Sequence, residues 1–432
     1  MFEIQKFQTE VSNFDIRILD LFRIFRQRRI CLGHDDIRIS SLSKREHLRT
    51  MESSEVTMAQ QLELYGCYQC GKCTGGCPVS LKSRLNIRRL MIEAILGRNL
   101  EHLSERLELW DCTTCKTCTI RCPRGLKPMD LIIGMRGLLV EEGHIPKTLI
   151  EAMENSYKHG NPWGKPKNKR TEWTKELPED LKVKDFSQGD RAEYLYFVGC
   201  TAASDPRIQQ IARAWVQILQ HTGVDFAILG NEEQCCGSEI RRMGESGLFE
   251  ELVEKNIKRF QQYEIERIVT GCPHGFNVLK NEYPQGKFEV LHATQLLANT
   301  LKEGKLSLNQ EMKKVVTYHD PCFIGKQNGV FDEPRLLLEA IPGITFKELD
   351  RSRERSLCCE GGGGRMWVES SSEVGERLAE VRIRDAVELG AEILATACPL
   401  CVLTLEDAVK TSGNEDKIRV MDIAELLTEA IE

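Results

Sequence analysis

Two closely spaced runs of cysteine carry the most specific chemical signal in the sequence. In each run, gaps of two residues separate the first three cysteines, and a fourth follows after three residues and precedes a proline. The first run consists of Cys67, Cys70, Cys73 and Cys77, and the second of Cys112, Cys115, Cys118 and Cys122. Such spacing lets three thiolates surround one iron–sulfur cubane, while the fourth projects toward a neighbouring cluster.

We therefore predict two [4Fe–4S] clusters with exchanged fourth ligands. We expect cluster 1 to use Cys67, Cys70, Cys73 and Cys122, and cluster 2 to use Cys112, Cys115, Cys118 and Cys77. The alternative is a pair of four-cysteine zinc sites. Zinc ribbons, however, separate two CxxC knuckles by a longer loop, so the spacing favours cubanes and an electron-transfer protein.

Nine further cysteines form an internal repeat farther along the chain. The first copy contains Cys200, Cys235, Cys236 and Cys272, and the second contains Cys322, Cys358, Cys359, Cys398 and Cys401. We name these two groups of thiols the first centre and the second centre. Gly275 stands in the first copy where the second copy has Cys401.

The second centre has more thiols than a cubane or a tetrahedral zinc ion needs. The adjacent Cys358 and Cys359 point apart in extended backbone, so they can bind different irons of a larger cluster. We predict such a cluster, with a vicinal disulfide or a zinc site with one spare thiol as the alternatives. For the first centre, a cubane, a zinc ion, a cluster with an open iron and a lost metal all stay open. His319 and His274 are near these cysteines in sequence and could deliver protons to a leaving thiolate.

Short apolar runs must position these thiols. In both copies they alternate with helical stretches, which predicts βαβ units on parallel sheets. The expected strands are 194–198, 226–229, 268–270, 315–319 and 393–397. In such sheets ligands bind beyond the carboxyl ends of the strands, where the cysteines fall. The predicted fold class is therefore α+β and multi-domain, with a helical two-cluster ferredoxin-type domain followed by a duplicated α/β domain.

The pattern of motifs divides the chain into five segments. They are 1–57, an N-terminal extension that is disordered or an amphipathic helix; 58–150, the ferredoxin-type domain; 151–192, a connector; 193–305, the first α/β copy; and 306–432, the second. The amphipathic stretch of the extension spans 14–25, and Cys31, also in the extension, is given no role.

The composition narrows the function classes. The net charge of −6 argues against a nucleic-acid binder, and no apolar run reaches the roughly 18 residues that a membrane span needs. The N-terminus lacks the pattern of a signal peptide, and 18 cysteines without such a signal indicate metal chemistry rather than disulfides. We expect a cytoplasmic protein, or one held peripherally on the inner face of a membrane by a partner.

The motifs resemble those of the heterodisulfide reductase family. Residues 66–78 resemble the first motif of its small ferredoxin-like subunit, and 110–115 with 121–125 resemble the second. The two copies, each with a CCG-type motif such as Cys235-Cys236-Gly237, resemble its catalytic subunit. The chain thus looks like a fusion of both subunits, as in the membrane-linked heterodisulfide reductases and the related subunit of the sulfite-reduction membrane complex.

This resemblance implies a function for the second centre. It implies that the five thiols bind a noncubane [4Fe–4S] cluster on which a small disulfide, a thiol substrate or a protein disulfide is reduced or formed. His319 joins them as a candidate catalytic residue because it is near them in sequence. The sequence contains no flavin or nicotinamide motif. A flavoprotein, a hydrogenase or a membrane cytochrome b subunit would therefore exchange electrons with the chain.

The sequence departs from the family pattern at three positions, of which the first bears on a cluster in the first copy and the last on the methanogen substrate. Gly275 replaces a ligand in the first copy, Glu360 replaces the glycine after Cys359, and Phe323 stands where the archaeal catalytic subunit has histidine. CCG repeats also occur in iron–sulfur subunits of glycolate, lactate and glycerol-3-phosphate dehydrogenases. The alternative is therefore a pure electron-transfer subunit of a 2-hydroxyacid or acyl-CoA dehydrogenase–quinone system, with no substrate site of its own.

Overall fold

The computed structural model describes residues 57–97, 103–179, 181–369 and 375–431. The amphipathic stretch predicted within 1–57, together with Cys31, lies outside these residues. The described chain has a helical part that carries the two cysteine runs and two parallel sheets that carry the repeat. The predicted fold class is confirmed.

Short helices and 3₁₀ turns surround the two cysteine runs. The helices are α1 (Met58–Gln61), α2 (Lys72–Gly75), α3 (Ile87–Ile95), α4 (Thr117–Ile120) and α5 (Pro128–Glu141). Helices α2 and α4 occupy the same place in the two runs and pack against each other. Each is preceded by a residue with positive φ, Gly71 at 77° and Lys116 at 65°. The two runs therefore turn in the same way.

Helix α5 forms the apolar centre of this part. Leu131, Ile132 and Leu139 are at most 1% exposed, and Arg136 among them is fully buried. The Arg136 guanidinium donates hydrogen bonds to the main-chain carbonyls of Leu109 and Cys112. Because a buried guanidinium needs such acceptors, α5 holds the start of the second cysteine run in place.

The connector predicted at 151–192 is partly continuous with its neighbours. Helix α6 (Lys147–His159) crosses residue 150 and ends at Gly160, whose φ of 67° suits a helix C-cap. Strand β1 (Lys184–Asp185) joins the edge of the first sheet. The connector thus contributes both a helix and a strand to the folded chain.

The first sheet is parallel, with the order β1-β3-β2-β4-β5. Its remaining strands are β2 (Tyr194–Tyr196), β3 (Phe226–Ile228), β4 (Arg267–Thr270) and β5 (Glu289–His292). Its helices are α7 (Cys200–Ser204), α8 (Pro206–His221), α9 (Ser238–Arg242), α10 (Ser246–Gln262), α11 (Pro273–Asn281) and α12 (Ala293–Lys302).

The second sheet repeats this arrangement with the parallel order β7-β6-β8-β9. Its strands are β6 (Val315–Tyr318), β7 (Thr345–Phe346), β8 (Ile393–Thr396) and β9 (Arg419–Asp422). Its helices are α13 (Gly325–Asn328), α14 (Asp332–Glu339), α15 (Leu378–Glu388), α16 (Pro399–Thr411) and α17 (Ile423–Ile431).

The strand order places a crevice at the carboxyl ends of β2 and β4, and of β6 and β8. Cys200 and Cys272 follow the first pair of strands, and Cys322 and Cys398 follow the second. Cys272 and Cys398 are the N-caps of α11 and α16, and each precedes a proline that suits the first turn of a helix. The positive end of a helix stabilises a thiolate at this position.

The two copies pack through α8 against α17 and through α12 against α14. Arg207, on α8, makes ion pairs with Glu406 and Glu425 of the second copy, with N–O distances of 2.7 and 2.6 Å. These contacts hold the two copies in one orientation, so that the crevices of the two sheets lie near each other.

Candidate metal centres

The thiols predicted for cluster 1 lie at or near the surface. Cys70 is exposed, and Cys67, Cys73 and Cys122 are partly buried. Cys67 and Cys73 are close enough for their charges to interact. Tyr68, between Cys67 and Cys70, is 59% exposed. This end of the molecule is therefore open to a protein partner.

The four thiols predicted for cluster 2 are brought together in the interior. Cys77 leaves its own run and lies near Cys112, Cys115 and Cys118. All four are 5–7% exposed. Burial, followed by the charge of Cys115, raises the pKa of Cys77 to about 12. Buried thiols this close repel one another as thiolates, so the set suits a cation or cluster that neutralises them.

The thiols predicted for cluster 2 abut the second centre. The Cys115 thiol is in hydrogen-bond contact with the thiols of Cys322 and Cys358. The Cys358 thiol also donates to Thr113 Oγ1 over 3.3 Å. The fold therefore brings together thiols that are separated by more than 200 positions in the sequence.

The main chain beside this contact is packed closely. Arg136 Nη2 donates to Cys112 O at 2.7 Å, and its Nη1 donates to Gly363 O at 2.9 Å. A Cβ atom at Gly363 would lie 2.7 Å from Cys112 O, so a side chain would not fit there. The Gly361–Gly364 run directly follows Glu360. Its lack of side chains lets the main chain around Cys112 approach closely.

The five thiols of the second centre form one buried group. Cys322 contacts Cys358, Cys359 Sγ lies 3.2 Å from Cys401 Sγ, and Cys398 contacts Cys401. The five are 1–8% exposed. Main-chain N–H groups of Glu360 and Gly361 donate to the paired sulfurs at 3.3 and 3.5 Å. N–H···S bonds of this kind are expected around iron–sulfur clusters.

Several thiols of this group favour the anionic form. Burial disfavours the Cys398 thiolate, but hydrogen bonds from Cys401 and His274 lower the pKa of Cys398 to about 5. Hydrogen bonds from Cys358 and Cys401 similarly hold the pKa of Cys359 well below its usual range. Burial and hydrogen bonds to other thiols hold the pKa values of Cys322 and Cys401 well above their usual range. The five thiols therefore share protons, which a bound metal would displace.

Buried nitrogen atoms without partners surround the second centre. In the described part of the chain, neither ring nitrogen of His319 has a hydrogen-bond partner, and the same holds for Arg382 Nε and Nη1. The donor atoms of His319, Cys359 and Cys401 lie within 4.8 Å of one another. Burial lowers the pKa of His319 to about 3. Unpartnered donors beside five thiols fit an anionic cluster, whose sulfurs would accept their hydrogen bonds.

A buried lysine lies between cluster 2 and the second centre. Lys326 Nζ donates to Thr117 Oγ1 at 3.0 Å and to Ser356 O at 2.6 Å. Its charge interacts with Cys322, Cys115 and Cys358. The lysine therefore offsets thiolate charge on both sides of the contact.

The first centre is a looser arrangement. Cys200 contacts Cys235, which contacts Cys236, while Cys272 lies near both Cys200 and Cys398. Cys200 and Cys272 are partly exposed. The structure thus gathers the first-centre thiols but turns Cys272 toward the second copy.

An ion pair from the connector closes the first centre. Arg170 bonds Glu233, and both side chains are at most 6% exposed. Glu233 accepts hydrogen bonds from Val198 N and Gly199 N, each at 2.9 Å. Arg170 Nη2 lies 3.9 Å from Cys200 Sγ. The pair fixes the turn that carries Cys200.

Sequence reasoning missed the charged residues around these centres. They are Arg136, Arg170, Lys326 and Arg382, all at most 7% exposed. Arg136 and Arg382 each interrupt the apolar face of a helix. A charged residue in such a position indicates a buried charge with a specific partner or role. Arg170 gave no such indication, because the sequence around it has no periodicity.

Comparisons with known proteins agree with this organisation. A family model described as a cysteine-rich domain, CCG, matches residues 194–280 and 316–406, and one described as a 4Fe-4S dicluster domain matches residues 63–126. A relative from Methanosarcina barkeri, named as part of a dihydromethanophenazine:CoB–CoM heterodisulfide reductase, is 32% identical over 88% of this chain and 97% of its own length.

Two bacterial relatives match a smaller share of their own length. The probable iron-sulfur-binding oxidoreductase FadF of Bacillus subtilis is 40% identical over 70% of this chain and 44% of its own length. The EtfAB:quinone oxidoreductase of Syntrophomonas wolfei is 37% identical over 69% of this chain and 43% of its own length. The chain thus spans less than half the length of these two relatives. Across the described ranges, no helix is long and apolar enough to cross a bilayer.

Proposed function

Because the chain belongs to the family of iron–sulfur oxidoreductases that includes the heterodisulfide reductase protein of Methanosarcina barkeri, we propose that it conducts electrons from cluster 1 through cluster 2 to the second centre. The observation that carries this proposal is the contact of Cys115 with Cys322 and Cys358. A ligand of one centre that touches ligands of the next leaves no gap for electrons to cross through solvent.

The burial of the thiols supports cluster 1 as the end of this path at which a partner exchanges electrons. Cys70 is exposed, whereas the cluster 2 thiols are 5–7% exposed and those of the second centre 1–8%. Among these three groups of thiols in the described residues, those of cluster 1 are the most accessible to a protein partner. The clusters supply one-electron chemistry when bound, and the chain's own residues hold them in sequence and exclude water between them.

We further propose that a disulfide is reduced at the second centre. The balanced reaction is RSSR + 2 e⁻ + 2 H⁺ → 2 RSH, with both electrons delivered singly along the path. The Methanosarcina relative, matched over 97% of its length and named as part of a heterodisulfide reductase, supports this reaction. The catalytic residues would be Cys322, Cys358, Cys359, Cys398 and Cys401, with His319 beside them.

A second candidate is electron relay without a substrate site. It is favoured by the burial of all five second-centre thiols, since a disulfide must reach the metal to react. A relative named EtfAB:quinone oxidoreductase supports it as well. In this case the partners would be a flavoprotein and a quinone-linked membrane subunit, and the chain would sit peripherally on the membrane through them. In the first case a hydrogenase or cytochrome b subunit could also supply the electrons.

Rapid mixing tests the electron path. The holoprotein is mixed with a reduced flavoprotein, and the second-centre EPR signal is followed by freeze-quenching. We expect Cys115→Ser to slow its appearance at least 100-fold, because cluster 2 is lost. Equilibration of the same variant with small mediators should still give the full signal, which shows that the second centre is intact. An unchanged rate would contradict the path.

Disulfide turnover separates the two candidate functions. With reduced methyl viologen as donor, the disulfide reductase predicts turnover that Cys359→Ser abolishes and that Cys236→Ser retains. The relay predicts no turnover with any disulfide, together with electron transfer from a reduced flavoprotein to a quinone-linked acceptor.

A further inference from the structure

We propose that the first copy supplies a positioning residue to the second centre: His274, fixed by Glu239, donates a hydrogen bond to Cys398 and raises the reduction potential of the cluster held there. This inference rests on the proposed function, in which the second centre binds a cluster. It assigns to the incomplete first copy a role in the chemistry of the complete one.

The imidazole of His274 lies between two acceptors. Its Nδ1 is 2.7 Å from Glu239 Oε1, and the ring makes a hydrogen bond with the Cys398 thiol. Since Nδ1 faces the carboxylate, Nε2 is the nitrogen left for the sulfur. A thiolate that binds a metal has no proton to give, so Nε2 is the donor to Cys398, and the carboxylate fixes the ring in that orientation.

Segments of the second copy clamp this imidazole. The Phe323 ring stacks on it with a centroid distance of 4.1 Å and an interplanar angle of 24°. A Cβ atom at Gly362 would lie 3.3 Å from His274 Cε1, so the loop main chain passes directly beside the ring. His274 is 7% exposed. Its orientation is therefore fixed before any ligand binds.

Glu239 links the histidine to the loop that follows the paired cysteines. Its Oε1 accepts from His274, and its Oε2 accepts from Gly364 N at 2.7 Å. Glu239 lies in the first turn of α9, directly after the paired cysteines of the first copy. One carboxylate thus ties α9, α11 and the second-copy loop together, and it holds the imidazole toward Cys398.

The first copy supplies this donor to the second centre, and the second copy supplies none in return from the matching position. His274 follows Cys272 by two residues, and at the matching position after Cys398 the second copy has Leu400. Leucine has no donor to offer the first centre. The second centre therefore receives a hydrogen-bond donor from the first copy and returns none from the matching position.

A donor at a cluster thiolate affects the two redox states unequally. Reduction adds negative charge to the cluster and its sulfurs, so an N–H···S bond stabilises the reduced state more than the oxidised state. Removing it should lower the potential of the second centre while leaving cluster 1 unchanged, because the cluster 1 thiols lie in the other part of the molecule.

An EPR-monitored redox titration of the anaerobic holoprotein tests this role. We expect His274→Leu, which installs the second-copy residue, to shift the one-electron equilibrium of the second centre at least tenfold, or 59 mV, toward the oxidised state. Glu239→Gln should give a smaller shift in the same direction. His274→Gln, which retains one N–H donor, should recover part of the potential. His144→Leu, at a surface histidine 52% exposed, serves as the matched control and should leave every potential unchanged.

Two outcomes would overturn the inference. One is an unmoved second-centre potential in both His274→Leu and Glu239→Gln with iron retained. The other is loss of the second-centre iron in both variants, which would make the dyad a structural support. Neither is confused with failure of the proposed function, because that failure appears in the unmodified protein as the absence of a second-centre iron–sulfur signal.

Discussion

The first and second copies share a sheet order and place cysteines after equivalent strands, yet they differ at the positions that decide what each copy can bind. Gly275 in the first copy corresponds to Cys401 in the second. Phe197 and His319 occupy matching places, since the main-chain N–H of each donates to the neighbouring strand, at Val269 O and Ala395 O. The second copy has a full set of thiols and a buried donor where the first has a glycine and a phenyl ring.

The surroundings of the two centres differ as well. Beside the first centre, Arg170 of the connector is paired with Glu233 near Cys200. Beside the second centre, Arg382 Nη1 lies 3.9 Å from Asp385, and Lys326 is bonded to neutral oxygens. The guanidinium beside the first centre is thus neutralised by a close carboxylate, whereas Lys326 leaves positive charge beside the second. This difference agrees with a metal centre in the second copy and a supporting role for the first.

We expect the largest difference between the two copies when one thiol is removed from each. Cys359→Ser removes a thiol 3.2 Å from Cys401 Sγ, and we expect the loss of the second-centre cluster, about four irons per chain. Cys236→Ser, its counterpart, should leave the second-centre EPR signal in place. Iron analysis and EPR of both variants measure this, and equal loss of the signal in both would contradict the division of roles.

The opposite change adds the missing thiol to the first copy. A Cβ atom at Gly275 would meet Thr270 Oγ1, Cys272 Cβ and Phe197 Cδ1 at 3.7–3.9 Å, which is ordinary contact. We expect Gly275→Cys to fold and to raise the iron content by up to about four atoms per chain. Gly275→Ser fills the same space without a thiolate and is the control. Unchanged iron in folded Gly275→Cys would mean that the missing ligand does not separate the copies.

The Arg170–Glu233 pair should matter for stability rather than for the second centre. Breaking a buried pair strands one charge, so Arg170→Met is expected to lower the free energy of unfolding by about 3–5 kcal/mol. Arg213→Met removes a more exposed pair with Glu176 and should cost at most about 1 kcal/mol. Denaturant unfolding compares the two variants. An Arg170→Met cost no larger than that of Arg213→Met would show that the pair does not hold the turn.

We expect the smallest effect from the loss of Lys326, which should change only the reduction potentials. Lys326→Met removes a positive charge between cluster 2 and the second centre. We expect the reduction potentials of both clusters to become more negative by about 59 mV, which corresponds to a tenfold change in a one-electron equilibrium constant. Lys314→Met, at a surface ion pair with Glu392, is the control. Equal reduction potentials in Lys326→Met and Lys314→Met would show that Lys326 does not influence the two clusters.

The sequence predicted the local features well and the long-range ones poorly. The alternation of apolar runs and helices predicted both parallel sheets, and the Cys-Pro pairs fall at the starts of α11 and α16. The exchanged position of Cys77 followed from spacing alone, and its place beside the second run agrees with it. Each of these features depends on a few consecutive residues or on a recurrent motif.

Contacts between distant segments left no such pattern. Nothing in the spacing placed Cys115 against Cys322, or His274 against Cys398, because both contacts depend on how complete domains pack. The connector has no clear periodicity in the sequence, yet it contains most of α6 and strand β1. Tertiary packing there outweighs a weak local preference.

Magnetic coupling between cluster 2 and the second centre tests the central claim most directly. If Cys115 touches Cys322 and Cys358 in the holoprotein, the two reduced clusters lie close enough for their electron spins to interact. EPR of the fully reduced protein should then show split or broadened signals, which simplify in Cys115→Ser when cluster 2 is lost. Two independent, unsplit signals in the fully reduced protein would contradict a continuous path for electrons.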